Sequence, residues 1–145
     1  MPILTVVCFI WILLVPAAPV YGQAENPFKP YLAFYVPVTE KPKTLASFAN
    51  FVITAASSEK VAGRVIPESG KVFEFENASI RNGELRFDTR RVKSLSYRFA
   101  GRFLQAPPFP DDGRTAVLEG VLERYRNGQL EVQAPMRFAV TAGGE

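Results

Sequence analysis

Seven cationic residues, Arg81, Arg86, Arg90, Arg91, Lys93, Arg98 and Arg102, crowd into one short stretch of this 145-residue chain. Arginine carries a planar fork of donors that matches carboxylate and phosphate groups, so such a cluster has the chemistry of an anion clamp. Folded as a hairpin around Arg91-Val92-Lys93, the stretch brings Arg86 and Arg98 near each other on one outer face. Like charges placed opposite one another cost stability unless an acid or a bound anion compensates. Glu74, Glu76, Glu84 and Asp88 are the acids at hand. The candidate partner-contacting residues are Arg86, Arg98 and Arg102, with Tyr31, Tyr35 and Phe109 as apolar anchors beside them.

Other reactive residue types lead to surface roles. Asn77-Ala-Ser79 is an N-glycosylation sequon, which matters only where the secretory pathway glycosylates. Glu74 and Glu76 have the spacing of a carboxylate pair, but neighbours on one solvent face do not straddle a substrate as glycosidase chemistry requires. Asp111-Asp112-Gly113 reads as a turn that returns the chain after Pro107, Pro108 and Pro110. A Ser–Lys dyad from Lys93 with Ser94 or Ser96 fails on parity, because strand residues an odd number apart face opposite ways.

Histidine is absent, and the single cysteine, Cys8, lies in an N-terminal apolar run. The folded body therefore has neither imidazole nor thiolate for metal ligation or nucleophilic catalysis. A non-enzymatic protein without cofactor or metal is expected. A net charge of +3 is too small to imply nucleic acid as the partner.

The elements that would position these residues are strands. In Ser94–Gln105, Leu95, Tyr97, Phe99, Gly101 and Phe103 alternate with Ser96, Arg98, Ala100 and Arg102, a period of two. Further strands are expected over Ser47–Ala55, Lys60–Pro67, Lys71–Asn77, Glu84–Arg90, Thr115–Tyr125 and Gln129–Thr141. Arg81-Asn82-Gly83 and Arg126-Asn127-Gly128 mark tight hairpins, since Asn-Gly accepts the positive φ angles of primed turns. Pro135 cannot donate a ladder bond and requires an unpaired position. Gly63, Gly101 and Gly120, each inside a strand and flanked by apolar residues, are expected at bends.

The spacing predicts an all-β domain over residues 45–141: an antiparallel up-and-down meander of seven or eight strands, closed into a barrel or strongly curled. Leu85, Phe87, Leu95, Tyr97, Phe99, Phe103, Leu130, Val132, Met136 and Phe138 should line its interior. Residues 23–44, with Pro27, Pro30, Pro37 and Pro42, read as a linker or edge strand, and 142–145 as a tail.

Residues 1–22 read as a signal peptide, with Ile3–Val15 as an apolar helix and small residues for cleavage near Gly22 or Ala24. The alternative is a retained membrane anchor, since the uncharged run approaches the ~20 residues that span a bilayer. The expected localisation is thus periplasmic or secreted, or else anchored to a membrane by the N-terminal helix.

Short strands, mid-strand F-x-G-x-apolar glycines and Asn-Gly turns over roughly Leu45–Thr141 resemble calycin-like β-barrels and small exported bacterial β-domains. The resemblance implies a barrel. The Gly-x-Trp motif of lipocalins is missing, because the only tryptophan, Trp11, lies in the leader, so no ligand-binding residue carries over. The expected function is a structural, accessory or partner-binding module with a filled interior; the alternatives are a carrier holding a small apolar ligand and, with the N-terminal helix retained, a membrane-anchored accessory subunit of a larger membrane complex. The partner would be a protein or an anionic lipid or ligand.

Overall fold

Alternation along the chain becomes eight strands, β1 (Phe34–Pro37), β2 (Phe48–Ala56), β3 (Val61–Pro67), β4 (Phe73–Arg81), β5 (Glu84–Thr89), β6 (Leu95–Phe103), β7 (Leu118–Arg126) and β8 (Gln129–Thr141). They form a closed antiparallel barrel in chain order, with β1 pairing both β2 and β8. This computed structural model describes Gly22 and residues 25–142. The expected leader and apolar helix lie outside the described residues. The meander and its closure are those that the calycin-like resemblance implies.

The two Asn-Gly hairpins form as their chemistry dictates. Asn82 and Asn127 take φ of 51° and 52°, and Gly83 and Gly128 follow at 75° and 78°. β1 sits inside the segment read as a linker or edge strand, so the barrel starts at residue 34 rather than 45. Pro135 keeps its expected freedom by a different route from an edge strand. β1 pairs with β8 only from Phe138 to Thr141. Beyond that, Val38 donates its N–H to the Arg137 carbonyl, and Thr39 Oγ1 accepts the Arg137 N–H at 2.7 Å. Pro135 lies past this last rung, where no donor is required.

The interior is a lattice of aromatic rings. Phe51, fully buried, stacks on Tyr35 at 4.8 Å and meets Phe138 at 5.0 Å, Phe87 at 5.2 Å and Phe99 at 6.0 Å between ring centroids. Leu85, Phe87, Tyr97, Phe99, Met136 and Phe138 are buried as expected, while Leu95, Phe103 and Val132 pack half-buried at its margins. Phe48 and Phe51 both point inward although three residues apart, because the β2–β3 register shifts between Phe48 and Asn50. That bulge hides them from a strict two-residue period.

Leu130 departs from expectation and is 48% exposed. Arg124 pairs with Val132 but Tyr125 pairs with Leu130, leaving Glu131 as an extra residue. One inserted residue inverts the parity before it, so Leu130 faces outward with Tyr125. The three mid-strand glycines are places of close approach. Side chains at Gly101 and Gly120 would meet the Phe99 ring, and one at Gly63 would meet Phe75.

Both ends are covered. A 3-10 turn, Lys29–Tyr31, lays Tyr31 against Phe103 at 4.8 Å and Phe109 at 5.7 Å, and Phe103 stacks on Phe109 at 5.4 Å. A second such turn, Lys43–Leu45, buries Leu45 completely. Lys41 Nζ holds that segment by donating to the carbonyls of Ala46 and Phe48 and to Glu68.

Candidate functional site: an outer-face trough between two charge ladders

Residues directly opposite on paired strands share a face, so the register assembles the outer surface of β5 to β8 row by row. Glu84 faces Arg102, Arg102 faces Glu119, and Glu119 faces Arg137, a ladder of alternating sign across four strands. Arg102 donates from Nε and Nη2 to one Glu119 oxygen at 3.0 and 2.7 Å, and Arg137 Nη2 donates to the other at 3.2 Å. Those bonds, the Arg102 bond first, hold the Glu119 carboxyl below the usual carboxylate range.

A second ladder runs Asp88, Arg98, Glu123, Gln133. Arg98 Nε donates to Asp88 at 2.6 Å, its Nη1 lies 3.2 Å from the Tyr125 hydroxyl, and its guanidinium sits 5.1 Å from that ring's centroid. The Tyr125 hydroxyl donates to Glu123 at 2.8 Å, the bond that chiefly pushes its pKa up.

Between the ladders runs a row without acids: Arg86, Ala100, Val121 and Pro135. It forms the floor of an open trough of about 610 Å³, with Thr39 among its lining residues. Val121 leaves 41% of its surface exposed there. The small side chain of Ala100 and the ring of Pro135 keep the floor low, while long charged side chains raise the walls. Arg86 reaches only Glu84, at 3.3 Å through one nitrogen, with its side chain 69% exposed. Its fork retains donors with no protein acceptor among the described residues, beside the small and apolar residues of its row. This arrangement suits an apolar side chain beside a carboxylate or similar anion.

The sequence-derived residues divide here. Arg86 and Arg102 line the trough, and Arg98 stands in the neighbouring ladder. Tyr31 and Phe109 belong to the end cap and are half-buried. Tyr35 has no exposed surface, so it offers no contact to a partner docking on this barrel. Its phenol donates to the Tyr31 carbonyl at 2.9 Å, and burial lifts its pKa above the ordinary tyrosine range. Asn77 is exposed on β4, opposite Asp88.

Glu119, Val121 and Arg137 escaped the sequence reading, and Pro135 entered it only as a residue unable to donate a ladder bond. Their signal is the register itself: Gly101 pairs with Gly120, which aligns the rows on either side. Among the remaining acids, Glu76 occupies a bulge between Phe75 and Asn77, and both it and Glu74 are exposed. Asp112 accepts the N–H groups of Arg114 and Thr115 and the Thr115 hydroxyl, closing its own turn. No group of three or more Asp, Glu, His or Cys able to hold a metal occurs among the described residues. Comparison of the chain with known protein families, curated proteins and solved structures finds no match.

Proposed function

We propose that the protein is an exported, non-catalytic β-barrel module that docks a partner protein on the outer face of β5 to β8, across the Arg86–Ala100–Val121–Pro135 trough. One observation carries this reading. The interior is crowded with its own rings, with Phe51 within 4.8–6.0 Å of four others, while an open hollow with an apolar floor lies on the outer face of β5 to β8. A carrier of an apolar ligand needs the reverse arrangement, an enclosed and largely apolar pocket. The partner presents an apolar residue to Val121 and a carboxylate to Arg86. The charge ladders set orientation, since exposed ion pairs contribute steering more than affinity.

The test is a photo-crosslinking residue placed at Val121 in the source cell, with the same residue at Thr54 on β2 as control. An adduct of defined mass at 121, lost on Arg86→Glu, is the expected result. Absence of an adduct at 121, or an equal one at 54, overturns the reading. An apolar small molecule released from the purified protein on denaturation would favour the carrier. N-terminal sequencing decides the compartment: a start at Gln23 or Glu25 supports export with cleavage, and an intact Met1 makes the module a membrane-anchored accessory subunit.

A further inference from the structure

The strands close through junctions of unequal length. From β2 round to β8 every other pair of neighbours shares at least five rungs. β3 and β4 share two, Arg64 opposite Glu74 and Val65 opposite Phe73. Residues 61–63 of β3 and 75–81 of β4 therefore lie off the ladder that joins their strands. A slot of about 770 Å³ opens there, lined by Val61, Ala62 and Gly63 on one side and Phe75, Asn77 and Ala78 on the other.

Hydrogen-bonding parity decides which backbone groups face the slot. Successive residues of a strand point their N–H and C=O groups alternately to its two neighbours. Ser57 donates its N–H to the Lys60 carbonyl at 2.8 Å across the β2–β3 turn, and the Ala62 carbonyl accepts from Thr54 Oγ1. Lys60 and Ala62 thus face β2, and Val61 and Gly63 face β4. The Asn82-Gly83 hairpin closes on Arg81 and Glu84, so Arg81, Ser79 and Asn77 face β5. Ile80 and Ala78 then face β3. No rung takes up Val61, Gly63, Ala78 or Ile80 on the slot side among the described residues. Native sheets ordinarily cover or blunt such edges. Here two of them look at each other across a hollow.

The base of the slot is apolar. The Phe75 ring lies against Gly63, where a Cβ would sit 2.6 Å from its Cε2, and stacks on Phe87 at 4.3 Å. The rim is charged. Glu59, Glu74, Glu76, Lys60 and Arg90 line it, all exposed and outside every ion pair among the described residues. Acids prevail, and both rim residues of β4 are acids. The slot also adjoins the trough, since Arg86 and Ala100 line both.

We infer that the β3–β4 slot takes an extended peptide segment of a partner protein, added as a strand antiparallel to β4. Its apolar residues turn to Phe75 and its basic residues to Glu74 and Glu76. A row of unused backbone donors and acceptors is matched by another backbone, and the alternating side chains give specificity. A folded sheet cannot bring its edge into a slot walled on both sides, so the occupant is a single unpaired segment. Recognition through the backbone needs no contact with Val121, so this site stands whether or not the trough docks a partner.

The experiment uses the purified full chain and the labelled peptide Val-Lys-Val-Thr-Val-Lys-Val. Two companions are a form N-methylated at alternate residues and a form with glutamate for lysine. Fluorescence anisotropy should show saturable binding of the first peptide. Each companion should bind about tenfold more weakly, having lost backbone bonds or the match to the rim. In the free protein, amide exchange at Ala78 and Ile80 should be faster than at Asn77 and Ser79, and the peptide should slow it. Ala78→Pro removes a donor that faces the slot and no rung of the β4–β5 ladder, so about tenfold weaker binding is expected. Glu74→Lys/Glu76→Lys should reverse the preference between the lysine and glutamate peptides, and Leu130→Ser, outside the slot, should bind as wild type. Equal binding of the N-methylated peptide, no binding of any peptide, or protection of Ala78 and Ile80 without peptide overturns the site. Protection that appears on concentrating the protein alone, with a doubling of mass, assigns the slot to a second copy and overturns the partner segment.

Discussion

Gly101 lies directly opposite Gly120, and the ring of Phe99 fills the space that both side chains would occupy. A Cβ at Gly120 would come 2.6 Å from Phe99 Cζ and 2.5 Å from the Gly101 backbone. The paired glycines thereby admit Phe99 to the centre of the lattice, in T-shaped contact with Phe138 at 5.5 Å. Gly120→Ala forces overpacking against backbone that cannot yield, with an expected loss of ~1–3 kcal/mol. Urea unfolding measures it, and a change within error would show that the ring has room to move.

Thr89 is the buried polar residue of the core, and its hydroxyl oxygen accepts the Tyr97 N–H at 2.9 Å. Thr89→Val keeps the shape but removes the acceptor, leaving a buried donor unpaired. The expected cost is about 1–3 kcal/mol. Thr89→Ser restores the bond and should recover part of the loss, which separates hydrogen bonding from packing.

The Glu131 bulge turns Leu130 out of the core, unlike the apolar residues of the interior. Leu130 is turned to solvent, so Leu130→Ser should change stability by less than about 0.5 kcal/mol. Phe51 is at the hub of the interior rings, and Phe51→Ala should cost about 3–5 kcal/mol. Equal effects at the two positions, measured by thermal unfolding, would contradict the bulge.

Acid stability has an identifiable contributor. Hydrogen bonds from the Thr115 hydroxyl, the Thr115 N–H and the Arg114 N–H lower the Asp112 pKa from 3.8 to about 2. Because the folded value is depressed, its stabilisation is complete above pH 3.8 and is lost as pH falls towards 2. Glu119 and Glu131, lowered by their arginine partners, act in the same direction. In a pH series of melting temperatures, Asp112→Asn should lie below wild type near neutrality and approach it at the acid end. Parallel curves would remove Asp112 from the acid response.

Much of the architecture was legible in the sequence because its cause is local. A two-residue apolar period makes a half-buried strand wherever it occurs, and Asn-Gly turns join strands that are neighbours along the chain. β8 begins and ends at Gln129 and Thr141 as its alternation requires. The arginine-rich hairpin was legible too, as were Asp88 and Glu84, the partners of Arg98 and Arg86 on the strand preceding β6, whereas Glu119, the partner of Arg102, was not. What spacing did not reveal depends on contacts between residues distant along the chain. The bulges in β2 and β8 invert parity around Phe48 and Leu130, and an inserted residue is defined only against the strand it pairs with. Closure by β1 and the trough between the ladders likewise follow from register. Register is settled by the whole barrel burying its rings at once, a tertiary condition that no single segment carries.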